Sequence, residues 1–110
     1  MKTNLFISVL TLILISSPSF AGDKTKETSF KVFGNCSSCQ ERIEGALHIK
    51  EVQSASWNKE TKMLTVKYAS DKISLDSLKQ RIAAVGHDTE KFKASDGVYN
   101  ELPGCCLYRK

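Results

Sequence analysis

Cys36 and Cys39 lie three positions apart, with Gly34-Asn35 before the first and Ser37-Ser38 between the two. If a helix opens here, its unpaired backbone N–H groups and the positive end of its dipole favour thiolate over thiol at both positions. Two thiolates on one tight loop can meet a single soft ion, and such ligands select Cu(I), Zn(II) or related thiophilic ions over hard cations. A pair of ligands leaves the ion coordinatively incomplete, unlike a closed four-ligand zinc site, so a partner's thiolate can enter and carry it away. A second pair, Cys105 and Cys106, sits side by side near the end of the chain. A bond between neighbouring cysteines closes a strained ring, so a metal or a bridge to another residue is expected of them instead. A tail that folds back adds Cys105 or Cys106 to the first pair, or passes the ion on. Alternatively, the tail docks through Tyr99, Leu102 and Leu107, with one of these cysteines in a structural or intermolecular bridge.

The elements that must position Cys36 and Cys39 can be read from periodicity. Residues 29–33 alternate as a half-buried strand with Phe30 and Val32 on one face, and Gly34-Asn35 stops it. A helix then opens at Ser37 or Ser38, either of which can cap it, and Cys39, Ile43, Ala46 and Leu47 form its apolar stripe. Gln40, Glu41 and Glu44 lie on the opposite face. Residues 52–57 and 63–68 are strands joined by a hairpin loop, the second marked by Leu64, Val66 and Tyr68 alternating with Thr65 and Lys67. Leu75, Leu78, Ile82 and Val85 define a second helix over 74–85, with Gly86 as its left-handed stop. Residues 89–92 make a short last strand. The order β-α-β-β-α-β predicts an α+β, ferredoxin-like fold: a four-stranded antiparallel sheet with both helices on one face.

Composition bounds the rest. At 110 residues, 41% hydrophobic and 25% charged, the chain is one small globular unit and too short for a multidomain enzyme. Lys2, the apolar run from Leu5 to Ile15 and Ser19-Phe20-Ala21 read as a signal peptide over residues 1–21, cleaved after Ala21. The run is too short for the roughly twenty residues that span a bilayer. An exported, periplasmic protein is expected, in an oxidising compartment where free thiols need protection by a metal or a reductant. After Ala21, fifteen basic residues face twelve acidic ones, a net of +3 with the signs interspersed, which excludes a basic stripe for nucleic acid.

The segment Phe33-Gly34-Asn35-Cys36-Ser37-Ser38-Cys39-Gln40-Glu41-Arg42-Ile43-Glu44 resembles the metal-binding loop of heavy-metal-associated domains, the small copper chaperones and exported mercury-binding proteins. The likeness continues through Val52-Gln53-Ser54-Ala55, Leu64-Thr65-Val66-Lys67-Tyr68 and residues 75–86, and so covers about residues 28–93. It leaves 22–27 as a flexible leader and 94–110 as a tail bearing the vicinal cysteines. The resemblance implies that Cys36 and Cys39 bind the ion, Cu(I) first and Hg(II) or Zn(II) next. It also implies delivery to a metal-transporting membrane protein or another exported acceptor. Such a chain is a monomeric carrier with no small-molecule substrate and no enzymatic activity.

Two positions depart from the family pattern. Gly34 stands where the family usually has Met, so the loop's hydrophobic tether is missing or supplied by Phe33. His87 stands where many members have Tyr or Lys; the fold brings it close to the metal loop, as a third ligand or a charge steadying the thiolates, or leaves it an exposed loop residue. Strand-CxxC-helix also occurs in thiol–disulfide oxidoreductases. Against that class, Cys36 has no Trp before it, no Pro separates the cysteines, and Pro18 and Pro103 are the only prolines. A module held together by inert disulfides is the remaining alternative.

Overall fold

The computed structural model describes residues 24–110. The predicted signal peptide lies outside the described residues. Three strands form one antiparallel sheet: β1 (Thr25–Lys31), β2 (Val52–Trp57) and β3 (Met63–Ala69), in the order β1-β3-β2. The central strand β3 sets the register, with Leu64 opposite Phe30 on one side and Trp57 on the other. Its alternation buries Leu64, Val66 and Tyr68. The hairpin loop between β2 and β3 is tied by Asn58, whose Oδ1 accepts from the backbone N–H groups of Glu60 at 2.8 Å and Thr61 at 2.9 Å.

Two helices cover one face of this sheet, α1 (Ser37–Ala46) and α2 (Leu75–Ala84). Ser74 caps α2, accepting from Ser77 N–H at 3.0 Å. Gly86 ends that segment at φ +109°, where a side chain would be strained. Cys39, Ile43 and Leu47 from the first helical segment and Leu78 and Ile82 from the second close one core with Phe30, Trp57, Leu64 and Val66. This is the ferredoxin-like α+β fold.

The sheet is shorter at one end and longer at the other than the sequence pattern indicates. No fourth strand forms among the described residues: Thr89 makes only an isolated bridge to Val32. Its hydroxyl accepts from Lys91 N–H at 3.2 Å and Phe92 N–H at 2.9 Å, and its N–H donates to Phe92 O at 2.8 Å. These bonds curl residues 89–92 into a turn. Conversely, Thr25 to Glu27 belong to β1 rather than to a leader, because their backbone pairs with β3 although their side chains stay exposed. A strand without an apolar face carries no alternation signal.

The tail is part of the core. A short helix, α3 (Asp96–Asn100), is capped by Ser95, and a single 3-10 turn follows at Gly104–Cys106. Tyr99, Leu102 and Cys106 are buried with the core, whereas Leu107, expected as a docking residue, is 44% exposed.

Candidate metal centre

Two features fix the loop that carries Cys36. Trp57 donates its indole N–H to Val32 O at 3.0 Å, and Phe33 N–H donates to Asp88 O at 2.9 Å. Gly34 lies on top of this arrangement: a Cβ there would meet Cys39 Cβ and the Trp57 ring at 3.1 Å. The tether expected of a hydrophobic side chain in the loop is therefore supplied from below by Trp57. Phe33 instead turns outward to stack near Tyr108, with ring centres 6.3 Å apart.

The N-cap of α1 is Cys36, not a serine, and no side chain caps it. Ser38 is engaged elsewhere, its hydroxyl lying 3.2 Å from Cys36 Sγ and 3.3 Å from both Cys105 Sγ and Cys106 Sγ. Cys36 Sγ lies 3.4 Å from Cys39 Sγ and 3.4 Å from Cys106 Sγ, and all three sulfurs fall within 4.8 Å of one another. Cys39 and Cys106 are joined as a disulfide, their Cα atoms 5.9 Å apart, while Cys36 and Cys105 are free. The expected avoidance of a vicinal bond between Cys105 and Cys106 holds.

Polar neighbours surround these sulfurs, and at Cys36, which is a free thiol, they favour negative charge. Burial pushes the Cys36 thiol up, but the Cys105 thiol, the Ser38 hydroxyl and the backbone N–H groups of Cys39 and Ser38 outweigh it, and the pKa is lowered to about 7. Asn35 N–H donates to Cys39 Sγ at 3.3 Å, and Arg42 Nη1 donates to Cys106 Sγ at 3.4 Å. The arrangement is a half-buried nucleophilic sulfur, Cys36, flanked by two fully buried ones.

His87 is neither in the three-sulfur group nor exposed. It is 0% exposed, stacked on Tyr108 with ring centres 5.4 Å apart, and its Nδ1 lies 2.8 Å from Phe33 O. A carbonyl only accepts, so Nδ1 carries the proton, and Nε2 is buried with no hydrogen-bond partner among the described residues. Burial holds this imidazole below its ordinary pKa, which keeps it neutral. Cys105 also lies outside the group and is exposed.

Sequence reasoning missed the residues that seat the tail. Tyr108 donates its hydroxyl to Gly86 O at 2.7 Å and accepts from Asp88 N–H at 2.8 Å. Arg109 donates to both Asp88 carboxylate oxygens, at 3.1 and 2.8 Å, and to Ala94 O at 2.7 Å. Burial alone raises the Asp88 pKa, but these bonds hold it below the usual carboxylate range. An Arg near the end of a tail, 21 positions from its carboxylate, leaves no local spacing signal.

A loop of paired cysteines between a strand and a helix, on a ferredoxin-like scaffold with the sulfurs gathered at one end, defines a class of small soft-metal-binding domains. Comparison with known proteins specifies the class. The heavy-metal-associated domain profile matches residues 29–88, and the chain belongs to that family. Among solved structures, a CopZ metallochaperone is 30% identical with a TM-score of 0.56, covering 58% of this chain and 98% of its own. The N-terminal domain of a potential copper-translocating P-type ATPase from Bacillus subtilis, in the Cu(I)-loaded state, is 28% identical with a TM-score of 0.57, covering 67% and 95%. Oxidised MerP from Ralstonia metallidurans CH34 shares the fold at 24% identity and a TM-score of 0.56, covering 60% and 94%. No curated protein matches the sequence. The chain is a metal-binding protein of the chaperone-like kind.

Proposed function

We propose that this protein is an exported metallochaperone. It binds a soft ion, Cu(I) foremost, through the Cys36 and Cys39 thiolates and passes it by thiolate exchange to a metal-transporting membrane protein or another exported acceptor. The observation that carries this reading is the half-buried Cys36 Sγ, 3.4 Å from Cys39 Sγ and with a pKa lowered to about 7. At neutral pH about half of such a sulfur is thiolate, and it is open to an incoming donor. The likeness to a CopZ metallochaperone and to a Cu(I)-loaded ATPase domain supports copper. The resemblance of the cysteine loop to exported mercury-binding proteins makes Hg(II) the nearest variant. Catalysis is not part of the reading.

One observation favours a second reading. Cys36 Sγ stands 3.4 Å from a sulfur of the Cys39–Cys106 disulfide, within reach for thiol–disulfide exchange. Titration of the reduced protein with Cu(I), Hg(II) and Zn(II) against a competing chelator, beside an insulin-reduction assay, separates the two. The carrier predicts one tightly held ion, lost in Cys36→Ser or Cys39→Ser, with no reductase turnover. Turnover together with weak metal binding would reverse the assignment.

A further inference from the structure

The structure assigns to the reduced chain a third sulfur ligand, Cys106, held at the centre by a clamp that the tail closes on Asp88. This inference rests on the metal-carrier reading and makes its cargo a three-coordinate soft cation rather than a linear two-coordinate one.

The tail that carries Cys106 is pinned on both sides. Before it, Leu102 packs on Gly86 so closely that a Cβ on the glycine would meet Leu102 Cδ2 at 2.8 Å. After it, Tyr108 bonds the backbone of residues 86 and 88, and Arg109 forks onto the Asp88 carboxylate. Arg109 also donates its backbone N–H to Tyr99 Oη at 2.8 Å, with its guanidinium 4.2 Å from the centre of that ring. Bidentate pairing of this sort fixes direction as well as distance. Asp88 in turn accepts Phe33 N–H on its backbone oxygen, so one residue anchors both the metal loop and the tail.

Ligand chemistry agrees with this placement. If reduction of Cys39 keeps the 3.4 Å between Cys36 Sγ and Cys39 Sγ, an ion about 2.3 Å from each thiolate is bound at a bent angle. A bent pair leaves a coordination position open, and Cys106 Sγ stands at 3.4 Å from Cys36 Sγ, close enough to fill it. Arg42 donates to Cys106 Sγ and offsets the added negative charge of a third thiolate. In the oxidised chain Cys39 and Cys106 are consumed in their disulfide, so the three-sulfur centre belongs to the reduced chain alone. Asp88 and Arg109 touch no ligand sulfur; they are positioning residues.

The test is X-ray absorption of the Cu(I)-loaded protein, prepared with a phosphine reductant, to count coordinating sulfurs, with chelator competition for affinity. Wild type and Cys105→Ser are expected to show three sulfurs, and Cys106→Ser in the Cys105→Ser background two, with Cu(I) held about 10- to 100-fold less tightly. Asp88→Asn and Arg109→Ala should shift the count from three toward two and weaken binding without adding to the effect of the Cys106 change. Asp88→Glu should recover part of the loss. Cys106→Ser changes a single atom, so a folded variant remains available if the clamp variants fail to fold. Two sulfurs in wild type, or three retained after Cys106 is changed, overturns the inference. No Cu(I) bound by wild type, or binding indifferent to Cys36→Ser, overturns the carrier reading beneath it instead.

Discussion

At the scale of the residue, Ser38 and Cys36 exchange the roles that composition suggests. A serine at a helix start is expected to cap backbone donors, yet Ser38 lies within 3.3 Å of three cysteine sulfurs and Cys36 is the N-cap. Its hydroxyl helps stabilise the Cys36 thiolate, so in Ser38→Ala the Cys36 pKa should rise from about 7 toward its ordinary value of 9.0. The pH dependence of alkylation read at Cys36 by mass spectrometry, with the other cysteines in place and with and without Ser38, measures the hydroxyl's part; an unmoved midpoint refutes it. The CxxC pair was legible in the sequence because its spacing and its place between a strand and a helix are local. The surroundings of His87 were not. A histidine after a helix-stopping glycine reads as a loop residue, whereas here the returning Tyr108 stacks on it and it is fully buried.

At the scale of the element, apolar periodicity revealed what periodicity can: β3, α2 and the buried stripe of α1. It misjudged segments whose backbone bonds decide the outcome. Residues 25–27 join the sheet through main-chain pairing, and Thr89 turns the expected fourth strand into a loop. The tail escaped for a related reason, since its hold comes from Tyr108 and Arg109 on residues 86, 88 and 94 rather than from an apolar repeat. Gly86 joins these elements, being both the positive-φ stop after α2 and the seat of Leu102. Gly86→Ala should therefore destabilise the fold by about 1–3 kcal/mol, read as a lowered chemical-denaturation midpoint at unchanged slope. A substitution without cost would mean that the helix end and the tail are not coupled through this residue.

For the whole molecule, the two buried groups beside the tail dictate a response to acid. His87 has a folded-state pKa below its ordinary 6.5, so the unfolded chain takes up a proton first and stability falls as pH drops below that value. Asp88 is likewise depressed below 3.8, and the stability it contributes is lost in a second, more acidic step. Thermal midpoints of the metal-free protein should decline in two stages, and His87→Gln should remove the upper one. A single stage shared by both proteins would contradict the assignment to His87. The larger account rests on the cargo that these sulfurs hold in the cell. Elemental analysis of the protein purified without oxygen from its native compartment tests it most directly. One equivalent of copper or another thiophilic metal per chain, with Cys36 and Cys39 unmodified, is the predicted result; a metal-free chain with all four cysteines oxidised would contradict it.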